Sequence, residues 1–228
     1  MMIKTIKVML IPNNKQKTKL FQYANTARFA YNWALGREKE NYKNGGKFVS
    51  DGDLRKEFTQ LKKTNEYSWL NEISNNVTKQ AIKDACNAYQ RFFKGYSKFP
   101  KFKNRKHSVL SFYQDNVKIK FTENFVKIEG FANSRKKNKQ KINWIKLAES
   151  NRVPIKAKYI NPRIKYDGLN WWLTVGIECE EFTGVPPNEG VGIDLGVKDL
   201  AICSDSNRYQ NINKTQKIKK LEKQKRRL

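Results

Sequence analysis

The sequence predicts an α+β protein: a first strand, then a set of helices, and then a run of antiparallel hairpins. Three observations predict it. Residues 2 to 11 alternate apolar and polar, as in Ile3, Lys4, Thr5, Ile6, Lys7, Val8. Apolar residues then recur at three- and four-residue steps as far as Gly95. From Ser108 to about Glu180 the period falls to two, with turn residues between the runs. A block of helices followed by a block of strands is the pattern of that class.

The elements follow in order. The first strand occupies residues 1–12, closed by Pro12 and Asn13. A helical region spans 13–107. Its first helix carries Leu20, Tyr23, Ala24, Ala27, Tyr31, Ala34 and Leu35 on one stripe, and Trp33 is expected to pack. Gly45-Gly46 ends it. Ser50 and Asp53 can form a variant capping box before Leu54, Phe58 and Leu61. A third helix starts at Asn75 or Asn76, turns Val77, Ala81, Ala85, Ala88, Tyr89 and Phe92 inward, and stops at Gly95. Thr78, Lys79, Gln80 and Lys83 fall on its first two turns, off that stripe. A Gln and a Lys at a helix start are suited to reading base edges.

Pro100 forbids helix in GYSKFPKFKNRKH. Lys94, Lys98, Lys101, Lys103, Arg105 and Lys106 stand there with no acid among them, and Tyr96, Phe99 and Phe102 interleave. Such cations neutralise phosphates; the rings stack on bases or pack on the sheet. His107, the sole histidine, reads as a surface or phosphate contact.

The β region spans 108–182. Val117 to Lys120 and Phe125 to Ile128 flank a turn at Thr122, Glu123 and Asn124. Ile155 to Tyr166 and Leu169 to Cys179 flank Asp167-Gly168, a hairpin signal. SRKKNKQK (134 to 141) reads as an exposed basic loop, and EEFTGVPPNEG, with Pro186-Pro187, as a linker. The last region, 183–228, opens on VGIDLGVKDLAICSD (191 to 205), a hairpin with Asp194 near the end of its first strand. A carboxylate on a strand between glycines suits a hard cation such as Mg²⁺. Asp199, Asp205 and Glu222 read as turn or surface residues rather than second ligands. KTQKIKKLEKQKRRL closes the chain as a basic helix.

Composition narrows the function. The formal net charge is +26 and the pI about 10.0, which points to a polyanionic partner, nucleic acid before membrane. No apolar run approaches the ~20 residues of a spanning helix. Cys86, Cys179 and Cys203 stand far apart and make no disulfide framework or zinc pair, so a reducing cytoplasm is expected.

GIDLGVKDLA, ARFAYNWAL (27 to 35), NNVTKQAIKDACNAYQRFFKG (75 to 95) and FPKFKNRK (99 to 106), in that spacing, resemble the TnpB/OrfB group of transposon-encoded RNA-guided nucleases. GIDLG alone also resembles the first phosphate loop of the actin/sugar-kinase ATPases. Those usually carry Ser or Thr after the second glycine, where Val197 and Lys198 stand here. The first resemblance covers nearly the whole chain. It implies a helical recognition lobe inserted into a wedge-type antiparallel β-barrel, followed by an incomplete RNase H-like (RuvC) segment. It implies Asp194 as a catalytic Mg²⁺ ligand, and guide RNA and double-stranded target DNA as partners. It implies that the lobe recognises target-adjacent DNA. Tyr31, Asn32, Thr78, Lys79, Gln80 and Lys83 are then candidate contacts beside Lys101, Lys103 and Arg105. The family's second-motif Glu, paired C-x-x-C zinc site and third-motif Asp do not occur in these residues. The expectation is a nucleic-acid-binding part that does not cleave alone: a truncated product, a fragment or a decayed copy. A non-cleaving repressor or transposon accessory protein is the alternative.

Overall fold

The computed structural model describes residues 2–131, 141–179 and 190–226. The expected basic loop, but for Lys141, and the Pro186-Pro187 linker lie outside them, as does Arg227. The chain divides into two compact units, 1–181 and 182–228.

The first unit mixes helix and sheet. Strand β1 (Met2–Ile11) pairs antiparallel with β7 (Trp171–Cys179) from Met2↔Cys179 to Leu10↔Trp171. Its alternation buries Ile6, Val8 and Leu10 and leaves Lys7 on the other face, 4.3 Å over the Trp172 ring. Helix α1 (Asn14–Lys43) starts at once because Asn13 and Gln16 form a capping box. The Gln16 amide also donates to the carbonyls of Ile142 (3.0 Å) and Trp144 (2.7 Å), fixing the helix start to the sheet. The stripe expected on α1 is buried throughout, and Trp33 packs edge-on against Phe58 at 5.0 Å. Helix α2 (Asp51–Leu61) is capped by Ser50. A 3₁₀ segment, Asn65–Glu72, buries Leu70 and had no periodic signal. Helix α3 (Asn75–Phe93) begins where expected, and Gly95 takes φ +74° after it.

The helices and sheet share one core. Tyr23 of α1 meets Phe112 of β2 (Leu110–Tyr113) edge-on at 5.4 Å, and Phe21 meets Tyr166 and Trp171 at 5.1 and 5.0 Å. Strands β3 (Lys120–Phe121), β4 (Phe125–Lys127), β5 (Trp144–Leu147) and β6 (Tyr159–Tyr166) complete the order β2-β6-β7-β1-β5-β4-β3. Two expectations change. The order is open: among the described residues no ladder joins β2 to β3, so the strands do not close a barrel. Strand β3 is also shorter than read, because the Asp115 carboxylate accepts from Val117 and Lys118 N–H, both at 3.0 Å, and holds them in a turn. Two residues are too few to zip an edge. The β6–β7 hairpin turns at Asp167-Gly168 with Gly168 at φ +108°.

The second unit holds β8 (Ile193–Asp194), β9 (Asp199–Cys203) and β10 (Arg208–Gln210) in the order β10-β9-β8, then α4 (Gln216–Lys225). The third strand had no sequence signal. Cys203 is the one buried residue among those described here. No helix among the described residues is long and apolar enough to cross a membrane.

Candidate nucleic-acid interface

The basic-aromatic segment after α3 is irregular, as Pro100 requires, yet it is anchored. The Asn32 side chain on α1 donates to the Lys103 carbonyl and accepts from the Lys103 N–H, each at 2.8 Å. The Lys103 ammonium stands 3.9 Å over the Tyr31 ring. Phe99 packs edge-on against Tyr89 (5.4 Å) and Phe92 (5.1 Å). Around these anchors Lys98, Lys101, Arg105 and Lys106 are exposed. So are Tyr96 (74%), Phe102 (49%) and Phe99 (39%). The segment therefore presents cations and ring faces together while its backbone is held.

One carboxylate organises the ground beneath it. Asp84 of α3 takes a bidentate pair from Arg163 of β6 at 2.6 and 2.9 Å, and accepts from the Gln80 amide at 2.9 Å. Burial pushes the Lys103 pKa down; Asp84 opposes that and Arg163 adds to it. Tyr31 is pushed up by burial and then by Asp84. Neither Asp84 nor Arg163 was singled out from sequence. They lie 79 residues apart, and the lone acid between the basic turns of α3 was the only clue.

The predicted residues thus separate. Tyr31, Gln80 and Lys103 gather near Asp84, and Asn32 joins them through the Lys103 backbone. Tyr31 is buried, and Asn32 is committed to holding Lys103. Lys79, Lys83, Lys101 and Arg105 are exposed. Thr78 was read as lying off the apolar stripe; it is buried, and its hydroxyl donates to the Asn75 carbonyl at 3.2 Å. The inward face of α3 is one position wider than the stripe, taking in Thr78, Ile82 and Cys86 where α2 covers it. His107 is exposed, its backbone N–H capped by Asn104.

In the second unit Asp194 sits on β8 opposite Ile202 of β9 and is exposed. Ser204 Oγ accepts from Gly192 N–H at 2.9 Å. A Cβ on Gly196 would stand 3.0 Å from the Asp199 carbonyl, so a side chain there would crowd the turn. Asp205 is a turn residue, accepting from the Asn207 backbone and side chain. Among the described residues no three Asp, Glu, His or Cys side chains group as a metal site. A two-metal centre needs several carboxylates about ions ~4 Å apart, and the residues present supply one. They do not fit that group by themselves.

Residues 1–47 match the family model HTH_OrfB_IS605, described as a helix-turn-helix domain. Here that stretch folds as β1 and the single helix α1 with its following turn. The "Putative RNA-guided DNA endonuclease InsQ" of Escherichia coli (strain K12) is 28% identical over 219 residues, 96% of this chain and 51% of that protein. A "Putative RNA-guided DNA endonuclease" of Streptomyces pristinaespiralis is 25% identical over 210 residues, 91% of this chain and 50% of that protein. A cryo-EM structure of a CRISPR-Cas12f ternary complex covers 92% of this chain and 51% of that chain, at 13% identity and a TM-score of 0.43. The chain spans about half the length of the curated relatives it matches. With an OrfB model matching its start and InsQ aligned along nearly all of it, the chain is similar to the TnpB/OrfB family.

Proposed function

We propose that this chain is the nucleic-acid-binding part of a TnpB-like RNA-guided DNA endonuclease, binding guide RNA and target-adjacent duplex DNA. The observation that carries it is the anchored segment 94–107. Five exposed cations (Lys94, Lys98, Lys101, Arg105, Lys106) and three exposed rings stand on a backbone clamped by Asn32. Phosphates meet the cations and bases meet the rings. The InsQ match supports the same reading, since that protein is named as an RNA-guided DNA endonuclease. Lys79 and Lys83, on the outer face of α3, and Gln80, held by Asp84, are the residues we assign to the DNA flanking the target. The sheet of the first unit corresponds in this reading to a wedge domain. The β8–β9 hairpin corresponds to the first part of a RuvC fold, with Asp194 as one ligand of Mg²⁺. The exposed Val191, Ile193 and Leu195 beside it are the apolar surface a larger RuvC sheet would cover.

A non-cleaving binder is the second reading, favoured by the single carboxylate at Asp194. Binding of the RNA that co-purifies with the chain, followed at increasing salt, tests the shared core of both. Affinity that falls steeply with salt and weakens in Lys101→Ala/Arg105→Ala/Lys106→Ala supports it. Affinity indifferent to salt and to those substitutions rejects it.

A further inference from the structure

Between the last turn of α2 and the first turn of α3 lies a cavity of about 420 Å³. Its lining is electrostatically one-sided: Arg55, Lys62, Lys63 and Lys79 face it, and no carboxylate does. Arg55 is answered by Asp51 at 3.0 Å. Lys62 has no such answer. It is 7% exposed, and its ammonium donates to two neutral oxygens, Asn75 Oδ1 at 2.7 Å and Thr78 Oγ1 at 3.5 Å. The Phe58 ring lies 5.5 Å beneath it. Burial, with no opposing charge, pushes its pKa down.

A buried ammonium without a counter-charge is expensive, and an apolar side chain would fill the same space at lower cost. The carbonyl end of α2 offsets part of this. An ammonium has three N–H donors, so two acceptors leave one for whatever enters the cavity. The first turn of α3 brings the positive end of its dipole to the same place and carries no acid. Lys63 and Lys79 stand at the rim without ion-pair partners among the described residues.

We propose that this cavity binds a phosphate group, with Lys62 at its floor and Lys63 and Lys79 at its rim. The phosphate is either a backbone phosphodiester of bound nucleic acid or free phosphate. The proposal shares Lys79 with the nucleic-acid reading and deepens it, but does not need it, since free phosphate alone can occupy the site.

Two probes test it on the full chain. In the first, the ³¹P line of inorganic phosphate is followed as protein is added. In the second, affinity for a short single-stranded oligothymidylate is measured at fixed salt. Lys62→Met is compared with Lys156→Met, which removes the same charge from an exposed position. Broadening of the phosphate line that Lys62→Met abolishes and Lys156→Met keeps supports the site with free phosphate as occupant. A loss of oligonucleotide affinity of roughly tenfold confined to Lys62→Met, without broadening, supports a backbone phosphodiester. If neither probe separates the two variants, the proposal fails. Salt-dependent binding through segment 94–107 would then still stand. Should Lys62→Met not fold, Lys63→Gln replaces it on the same two readouts, with the same outcomes deciding.

Discussion

Asp84 is the acid on which four cationic or polar neighbours settle, and it lies about three-quarters out of water. Its pair with Arg163 is bidentate and joins α3 to β6. Asp84→Ala leaves Arg163 and Lys103 facing each other without a carboxylate, and is expected to cost about 1–3 kcal/mol in urea unfolding. The same change adds a net positive charge beside the interface, so non-specific RNA affinity should rise while stability falls. Glu38 shows the opposite economy. It is buried, its Oε2 accepts from Val49 N–H at 3.4 Å, and its Oε1 has no hydrogen-bond partner among the described residues. Burial raises its pKa, the Val49 bond opposing. The native state therefore holds the proton to higher pH than the unfolded chain does. Stability then falls as pH climbs from the ordinary carboxylate value through the raised one. Glu38→Gln is expected to be more stable than the wild type at pH 7, with the gap closing in acid. Urea midpoints at the two pH values measure this. A gap that is absent at pH 7 would show that Glu38 is not strained by burial. Nearby Cys86 is pushed up to about 12 by burial, then by Glu38 and Asp51. Its thiol should resist alkylation at pH 8 until the chain is unfolded.

At the scale of elements, α1 depends on its first turn. Gln16 closes the capping box and binds the carbonyls of Ile142, just before β5, and Trp144, its first residue. Gln16→Ala removes the cap partner and strands both carbonyls, so a loss of about 1–3 kcal/mol is expected from equilibrium unfolding. The segment after α3 makes a different case, because its cations are not equivalent. Lys101, Arg105 and Lys106 point to solvent, and replacing them should flatten the salt slope by ~0.7–0.9 for each phosphate they neutralise. Lys103 is tied under Asn32 and over Tyr31. Asn32→Ala should therefore free the whole segment and speed tryptic cleavage after Lys101, Lys103 and Arg105. Unchanged cleavage kinetics would mean the clamp does not hold the segment in solution.

For the whole molecule, charge and carboxylates point the same way. The net +26 supports binding to polyanions, while the second unit supplies Asp194 without a group of metal ligands among the described residues. Incubated with Mg²⁺, co-purifying RNA and duplex DNA, this chain is expected to leave the DNA intact. Cleavage that vanishes in Asp194→Ala would show that other acids, or a second copy, complete the site. The second unit buries one described residue, so its hairpin should exchange amide hydrogens much faster than β1 and β7.

What the sequence determined by itself is what local periodicity encodes. The β1 alternation, the α1 stripe, the start of α3 at Asn75 and the Asp167-Gly168 turn all follow from spacing and from residues with strong backbone preferences. The positive charge and the basic-aromatic run were equally plain, since neither needs a partner to be seen. The tertiary structure decided what depends on distant partners. It turned Thr78 inward beneath Lys62 and made Asn32 a clamp rather than a contact. It joined Asp84 to Arg163 across 79 residues. It also left the sheet open, because an Asp115 turn shortened the strand that would have closed it. A side chain's chemistry is written in its identity, but its freedom to meet a ligand depends on which groups the fold has already given it.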